Sequence, residues 1–521
     1  MLIRGRVHVG LFVLLAGMYV LTGPGRIDII DGQFRYDVTR NLVEQGSPVV
    51  TDGALPPTPI GRDGRRYFLG PAASLAGVPL VAVGQLVRPT WPPLHEFLFS
   101  FTSAFLAAGA GVLLFMLYEL LGVTRRRAVA WTLAVAFGTM MWPLATSAFD
   151  QAQQACVVLL AVYAGLQAAR RESVRFAALG GFAASVLVSY QEVYIAMVPA
   201  LGLVCMTPFE RLVGYLRSRR LRGYAVGFLV GLAALLLFNV YRFGAISAIA
   251  PHTGDVPLLG NPVIGALGLL VSPGKSMFLY SPPLLLAIVG WRALYAREAT
   301  FARAVLLVVG VHFLIIACLA FWAGDWAWGP RYLVVTLPLV CLALPFVHLR
   351  RPIKISIVAL GVVVQVLAIS VDHQRYFLER GLADHFWTEP SHYFTDSALF
   401  ARPGELASVL SHDGPIDARR FAPNPYRSAT YTTYGNPPAQ RADAPRWMQQ
   451  YALFYTPRPW PLWMSRLTPG PNPLERPLLV AVFVLGFALA GAWLVVRGTR
   501  RGPPERCPTP PTDPGSGGPA R

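Results

Sequence analysis

The sequence predicts an all-α polytopic membrane protein with about twelve transmembrane helices, a large first outer loop and a small external C-terminal region before the last helix. Of its 521 residues, 54% are hydrophobic and 14% are charged, whereas soluble domains carry about a quarter of charged residues. Apolar runs of about 17–25 residues recur along the chain, and this length crosses a hydrocarbon core. Short arginine clusters separate these runs, as they do in cytoplasmic loops of membrane proteins.

The formal net charge of +18 would suggest nucleic-acid binding in a soluble protein. Here the arginines stand between apolar runs, and no basic face with interleaved aromatic residues is found. Nucleic acid is therefore excluded as a partner, and membrane lipids are expected instead. The five cysteines lie in apolar runs or in the C-terminal tail, which indicates neither a disulfide framework nor a CxxC metal site.

The first helix is predicted at about 7–23, after two arginines that place the N-terminus in the cytoplasm. A basic start and an apolar core also occur in signal peptides, but no convincing cleavage site follows, so an uncleaved helix is expected. Residues 24–96 then form outer loop A. Its apolar stretch 68–87 is rich in small residues and contains two prolines. We interpret this stretch as an interfacial or re-entrant segment, which keeps Arg125–Arg127 in the cytoplasm.

The remaining helices can be assigned once the stretch 68–87 is taken not to span the membrane. Every later arginine cluster then lies on the cytoplasmic side. These helices are predicted at about 97–121, 128–146, 151–169, 175–190, 193–208, 223–241, 277–292, 303–321, 331–348, 355–371 and 476–497. Residues 1–371 thus form a transmembrane module, 372–475 an external loop or domain, 476–497 the last transmembrane helix and 498–521 a disordered cytoplasmic tail. The composition, rich in Arg, Ala, Gly and Pro, suggests a bacterial plasma membrane.

Ionisable residues close to the membrane are costly and therefore indicate function. The predicted outer side carries carboxylates near helix ends, together with a few cationic side chains. An outer cavity would collect them: Asp28, Asp31, Asp150, Glu192, Asp255, Asp325, Lys275, Arg331 and His252. For Asp150 and Glu192 the capping of short helices is favoured over a place in the cavity. His252 and Asp255 show no metal-ligand spacing, so a surface or hydrogen-bonding role is favoured for them.

Loop A begins with "RIDIIDGQFRYDVTRNLVEQGSPVV", residues 26–50, in which an amphipathic surface helix follows Asp31 and ends at a glycine. This arrangement resembles the first loop of GT-C superfamily glycosyltransferases, the group of protein O-mannosyltransferases and aminoarabinose transferases. Asp31, Asn41, Leu42, Glu44 and Gly46 fall at matching offsets. The segment from Tyr67 to Gly84 is similar to the family's next conserved segment through Tyr67, Gly70, Ser74, Leu75 and Pro79.

The resemblance implies an enzyme that transfers a sugar from a polyprenyl-phosphate donor to a protein, glycan or lipid acceptor outside the cytoplasm. The family's first-loop aspartate acts as general base or metal ligand, which here points to Asp31, with Asp28 as the second candidate. Capping of the surface helix is the alternative role of Asp31. No cofactor is otherwise expected, and a divalent metal ion is compatible with the resemblance. A lipid-linked sugar flippase and a catalytically silent scaffold on the same fold are the alternative functions.

Two further outer segments carry cations that suit a donor phosphate. In "SPGKSMFLYSPP" Lys275 precedes an apolar helix, where it either binds phosphate or reaches the membrane interface. In "FWAGDWAWGPRYLVV" Arg331 is predicted in the first turn of a long helix, the unfavourable end for a cation. It therefore needs an anion, either Asp325 or the donor phosphate. The tryptophans of this turn, among them Trp326 and Trp328, are typical of a membrane interface and would alternatively line the substrate site.

Overall fold

The computed structural model describes residues 2–50, 60–68, 70–208, 210–246, 258–324, 327–373, 376–377, 390–411, 462–463 and 477–500. Within these ranges the regular secondary structure is helical, and a few isolated β-bridges occur in the connections. Most of the predicted external region 372–475 and the tail beyond residue 500 lie outside the described residues.

The α-helices of the described ranges follow one another along the chain, and 3-10 helices connect some of them. They are α1 (Leu2–Thr22), α2 (Ile30–Gln45), α3 (Pro71–Val87), α4 (Pro92–Phe99), α5 (Thr102–Leu120), α6 (Arg125–Gly138), α7 (Met141–Ala145), α8 (Gln151–Arg171), α9 (Val174–Tyr190), α10 (Val198–Leu203), α11 (Leu212–Leu216), α12 (Arg219–Phe243), α13 (Pro262–Val271), α14 (Met277–Tyr280), α15 (Pro283–Arg297), α16 (Ala299–Cys318), α17 (Leu337–Val340), α18 (Arg351–Ser370), α19 (Ala398–Ser411) and α20 (Pro477–Arg500). The 3-10 helices cover Glu192–Met197, Arg331–Val335, Cys341–Phe346 and Pro390–Phe394.

By length and composition, six helical segments in the described part of the chain can cross a membrane. They are Pro92–Leu120, Gln151–Arg171, Arg219–Phe243, Ala299–Cys318, Arg351–Ser370 and Leu478–Thr499. The chain is therefore a multi-pass membrane protein. Several shorter apolar helices accompany these six, including most of α1, α3 and α9. The predicted number of about twelve spans requires such shorter helices to cross as well and stays a prediction.

The helix predicted at 331–348 is broken into three short pieces, so the expectation that Arg331 stands in the first turn of a long α-helix is wrong. Arg331 begins a five-residue 3-10 helix, which α17 and a second 3-10 helix follow. Pro338 and Pro345 lie in the later pieces, and proline provides no N–H group for a continuous helix. Nearly every residue of this segment is buried, which shelters its irregular backbone from lipid.

Other predicted helices are also interrupted. The predicted helix 128–146 consists of α6 and α7, the one at 277–292 of α14 and α15, and the one at 193–208 of a 3-10 helix and α10. Hydrophobic runs do not show such breaks, because the residues on both sides are equally apolar. Within the stretch 68–87, residues Pro71–Val87 form the continuous helix α3 despite an internal proline. The last helix extends three residues into the predicted tail, to Arg500.

Close helix packing builds the interior, and the contact between α9 and α12 is an example. At Gly181 an added Cβ would lie 1.9 Å from the carbonyl oxygen of Tyr224, and at Gly227 it would lie 1.9 Å from that of Ala178. The two helix backbones therefore touch, which only glycine allows at these positions. Such small-residue contacts bring membrane helices together through van der Waals packing.

The two ends of the helix bundle carry different chemistry. At one end lie exposed or half-buried arginine–glutamate pairs that join neighbouring connections, such as Arg170–Glu298 at 2.8 Å and Arg125–Glu119 at 3.0 Å. At the other end α1 finishes and α8 begins, and there the ionic groups are mostly buried. The candidate site lies at this second end.

Candidate functional site

The segment between α7 and α8, residues Thr146–Asp150, is the centre of the site. We call it the α7–α8 connection. All five residues are buried, and Ser103 Oγ of α5 donates a hydrogen bond of 2.9 Å to the Phe149 carbonyl. Side chains from distant parts of the sequence meet on this short segment.

Asp28, just after α1, is fixed by two hydrogen bonds from the connection. Ser147 Oγ donates to Oδ2 and the Ala148 amide donates to Oδ1, both at 2.8 Å. Asp28 is only 4% exposed. His373 Nδ1 lies 3.9 Å from Oδ2. Because both carboxylate oxygens accept hydrogen bonds from fixed donors, the orientation of this carboxylate is set by the fold.

Arg35 of α2 joins two of the predicted carboxylates. Its guanidinium lies 3.2 Å from Asp150 Oδ2 and 3.9 Å from Asp31 Oδ2, and it donates to the Ala148 carbonyl at 3.4 Å. The Asp150 side chain is 3% exposed, whereas that of Asp31 is 44% exposed. Asp31 is thus the accessible carboxylate of the group and Asp150 the enclosed one.

Neither carboxylate caps its helix. Asp150 occupies the N-cap position of α8, but its side chain makes no capping hydrogen bond. The capping role favoured for Asp150 is therefore wrong, because the nearby Arg35 attracts the carboxylate instead. For α2 the N-cap residue is Ile29, and Asp31 lies in the first turn. The alternative capping role of Asp31 is wrong for this reason.

Arg331 reaches the same segment from the 3-10 helix after α16. Its guanidinium carbon lies 4.2 Å from the centre of the Phe149 ring. The side chain donates to the Gly324 carbonyl at 2.8 Å and to the Tyr332 hydroxyl at 3.1 Å. The carboxylate proposed as its partner, Asp325, lies outside the described residues, as do Trp326, His252 and Asp255.

Lys275 is buried at the start of α14, where it holds the backbone next to Trp328. Its ammonium group donates to the carbonyls of Ala327 and Gly329 at 3.0 and 3.1 Å, and it lies 4.7 Å from the centre of the Tyr393 ring. The two carbonyls flank Trp328. Lys275 therefore affects the site indirectly, because it holds the backbone on both sides of Trp328.

A cavity opens beside the α7–α8 connection, where the ends of α1 and α18 meet. Its polar and aromatic walls come from Arg26, Asp28, Phe149, Trp328, Asp372 and His373. Arg26 forms a buried ion pair with Asp372, and Arg402 of α19 donates to the Asp372 carbonyl at 3.1 Å. Burial lowers the pKa of His373 below its usual value, against the raising effect of Asp28 and Asp372. The ring is therefore neutral at pH 7.

Glu192 and Tyr67 belong to a neighbouring group around Arg242 at the end of α12. The Glu192 carboxylate accepts from Asn239 Nδ2 at 3.3 Å, and Arg242 donates to Asn239 Oδ1 and to the Phe68 carbonyl, both at 2.7 Å. Glu192 is thus tied to α12. The capping role favoured for it is wrong, because Gln191 is the N-cap residue of this 3-10 helix and Glu192 lies in its first turn.

Tyr67 is buried, and its hydroxyl donates to Asp63 at 2.8 Å. Burial and this bond raise the pKa of Tyr67 to about 12. The group around Arg242 contacts the residues at the α7–α8 connection through Phe68. The guanidinium carbon of Arg35 lies 5.7 Å from the centre of the Phe68 ring.

Several functional-site residues are not indicated by the sequence patterns. Arg35 stands four residues after Asp31, the spacing at which helical side chains meet, so this contact could have been found. The pairing of Arg26 with Asp372 joins residues 346 positions apart, and nothing local points to it. The same holds for His373, which follows a predicted helix end without any motif.

No protein-family model matches the chain, and no curated protein matches it in sequence. Among solved structures it is similar to ArnT from Cupriavidus metallidurans bound to undecaprenyl phosphate, with 15% identity, a TM-score of 0.43, and 95% of this chain and 77% of ArnT covered. It is also similar to the oligosaccharyltransferase AglB from Archaeoglobus fulgidus in complex with an inhibitory peptide and a dolichol-phosphate, with 13% identity, a TM-score of 0.37, and 89% and 61% covered.

Proposed function

We propose that this chain is an integral membrane glycosyltransferase that transfers a sugar from a polyprenyl-phosphate donor to a protein, glycan or lipid acceptor. The site would face the outer side of a bacterial plasma membrane, with both termini in the cytoplasm. The proposal rests on one observation at the α7–α8 connection. Arg35 contacts both the accessible carboxylate of Asp31 and the buried carboxylate of Asp150, and the guanidinium of Arg331 and the cavity lie beside the same connection. These groups come from distant parts of the sequence and meet at one end of the bundle.

The proposed reaction needs little covalent chemistry from the protein. The acceptor hydroxyl oxygen attacks the anomeric carbon, the bond from this carbon to the phosphate oxygen breaks, and the hydroxyl proton passes to a carboxylate. A general base must be able to touch this proton. Asp31 suits the task, because its side chain is 44% exposed and Arg35 holds it from one side. Asp28 is the second candidate, since it lines the cavity.

Cations would stabilise the departing phosphate. Arg331 is the first candidate because its guanidinium already lies at the α7–α8 connection, and Lys275 would act from the other side of Trp328. Asp325, Trp326, His252 and Asp255 would complete the outer wall together with Trp328. Asp150 would act from the interior through Arg35, whereas Tyr67 and Glu192 belong to the neighbouring group around Arg242.

A divalent metal ion does not fit the described carboxylates. Asp31 and Asp150 both face the positive guanidinium of Arg35, which would repel a second cation. The described residues also contain no group of three His, Cys, Asp or Glu side chains arranged to hold a metal. The base role is therefore the one that these contacts support for Asp31.

The test measures sugar transfer by the purified full chain in detergent, with a panel of polyprenyl-phosphate sugars, by following the release of polyprenyl phosphate. Asp31→Asn should lower the rate by about 10²–10⁴-fold, the usual contribution of a general base. Asp63→Asn is the matched control, because it removes one exposed carboxylate from the same predicted loop, and the asparagine oxygen still accepts the hydrogen bond from Tyr67. This variant should keep full activity, and both variants should lose less than about 1 kcal/mol of unfolding free energy.

Full activity of Asp31→Asn would remove this residue from the reaction, and the same measurement on Asp28→Asn would then test the second candidate. A flippase would move labelled lipid across liposomes without an acceptor and would release no polyprenyl phosphate. A scaffold would do neither, and either of these two results would contradict the proposal.

A further inference from the structure

Three buried nitrogen atoms have no hydrogen-bond partner among the described residues, and each belongs to a side chain that lines the cavity. They are Arg26 Nε, Trp328 Nε1 and His373 Nε2, on side chains that line the same space. Trp328 is 3% exposed and Arg26 is 8% exposed. A buried polar group without a partner costs about 1–3 kcal/mol, so three of them in one cavity require an explanation. A ligand that supplies the missing partners provides one.

The chemistry of the three atoms restricts this ligand. Arg26 Nε and Trp328 Nε1 carry hydrogen and can only donate. The neutral His373 ring has its Nδ1 facing the Asp28 carboxylate at 3.9 Å, which favours the proton on that nitrogen. Nε2 is then an acceptor. The cavity thus offers two donors and one acceptor, and a ligand with several hydroxyl groups satisfies all three because a hydroxyl both accepts and donates.

Charge restricts the ligand further. The side chains that line the cavity include one guanidinium, Arg26, and two carboxylates, Asp28 and Asp372, so their formal charge is −1. A phosphate or a uronic acid would be repelled. An ammonium group carries only donors, so a sugar that bears one in place of a hydroxyl group supplies one acceptor fewer to Arg26 Nε and Trp328 Nε1. An uncharged, hydroxyl-rich ring remains as the best fit.

We propose that this cavity is the subsite for the sugar ring of the donor, and that Trp328, His373 and Arg26 select an uncharged, hydroxyl-rich sugar. This inference rests on the proposed glycosyltransferase function. The three nitrogen atoms are shielded from bulk water, so side-chain movement at the cavity wall accompanies binding, as is common at ligand sites. The carrier phosphate would then lie outside this cavity, towards Arg331.

The test separates sugar recognition from carrier recognition by measuring binding without transfer. A fluorescent polyprenyl phosphate is bound to the purified full chain and displaced by four probes: sugar-free polyprenyl phosphate, and the same carrier bearing a neutral hexose, a hexosamine with a free amine or a hexuronate. The neutral hexose should displace the fluorescent lipid at about tenfold lower concentration than either charged sugar, which corresponds to about 1.4 kcal/mol.

Trp328→Phe removes the indole N–H and keeps an aromatic ring. It should weaken binding of the hexose-bearing lipid about five- to tenfold, the effect of one hydrogen bond, while the affinity for sugar-free polyprenyl phosphate stays unchanged. His373→Asn should show the same pattern. Trp322→Phe is the matched control: Trp322 is equally buried and stands six residues earlier, but it does not line the cavity. It should leave both affinities unchanged.

Equal weakening of both lipids by Trp328→Phe would show that the cavity binds phosphate or acts only structurally, and would overturn the inference. A preference for the hexuronate or the hexosamine would overturn it as well. Failure of the proposed function has a different signature, because the wild-type chain would then release no polyprenyl phosphate from any donor, whatever the displacement experiment shows.

Discussion

Replacing Arg35 by glutamine should destabilise the protein far more than replacing the exposed carboxylate that Arg35 contacts. The Arg35 side chain is 10% exposed and its main partner, Asp150, is 3% exposed at 3.2 Å. Removing one member of a buried ion pair costs about 3–5 kcal/mol, because the other charge stays buried. Asp31 is 44% exposed and 3.9 Å away. Pairs of this kind contribute about 0.2–1 kcal/mol.

The assay is equilibrium unfolding by denaturant in detergent micelles, followed by tryptophan fluorescence. Arg35→Gln should lower the free energy of unfolding by about 3–5 kcal/mol and Asp31→Asn by less than about 1 kcal/mol. Asp150→Asn in the Arg35→Gln background should restore part of the loss, because it removes the unpaired charge. Additive effects of these two substitutions, within about 0.5 kcal/mol, would refute the reasoning, as would a small effect of Arg35→Gln alone.

Two further predictions concern the backbone around Trp328. Lys275→Met should lower the free energy of unfolding by at least about 1–3 kcal/mol, because the carbonyls of Ala327 and Gly329 lose a charged donor; a stability equal to wild type in the same unfolding assay would contradict the described contacts. Gly329→Ala should cost about 2–5 kcal/mol, since its φ is 66° and a Cβ would lie 2.6 Å from Met140 Sδ. Gly64 is the control, because its φ of 75° is similar and an added Cβ would lie in open space. Gly64→Ala should lower the free energy of unfolding by only about 1–2 kcal/mol. Equal effects of the two substitutions would show that packing at Gly329 is unimportant.

Continuous apolar runs predicted the positions of several long helices, because a membrane span requires an uninterrupted run of apolar residues. The helix of Arg219–Phe243 contains the predicted range 223–241, and α18 covers nearly all of 355–371. The interruptions within the predicted helices could not be predicted from apolar composition. In the segment that begins at Arg331, buried backbone replaces a regular helix, and its composition is as apolar as that of a true span.

The candidate site was predictable at the level of single residues and not at the level of contacts. Motif likeness and position near helix ends pointed to Asp28, Asp31 and Arg331. The partners that orient them depend on tertiary contacts, such as the one between Asp28 and Ser147 over 119 positions. Hydrogen bonds of this kind leave no local pattern, since either residue alone has an ordinary role in its own segment.

The buried pair of Arg26 and Asp372 has a consequence for the biosynthesis of the protein. The two residues are 346 positions apart, so at about 5–20 residues per second a ribosome needs about 17–70 s to add the second one after the first. Throughout that interval Arg26 has no Asp372 to pair with, and the wall of the cavity that follows α18 does not yet exist. A chain that stalls before α18 therefore presents an open, incomplete site. Five of the six candidate spans precede Asp372 in the sequence, so the pocket is completed only after most of the bundle has been synthesised.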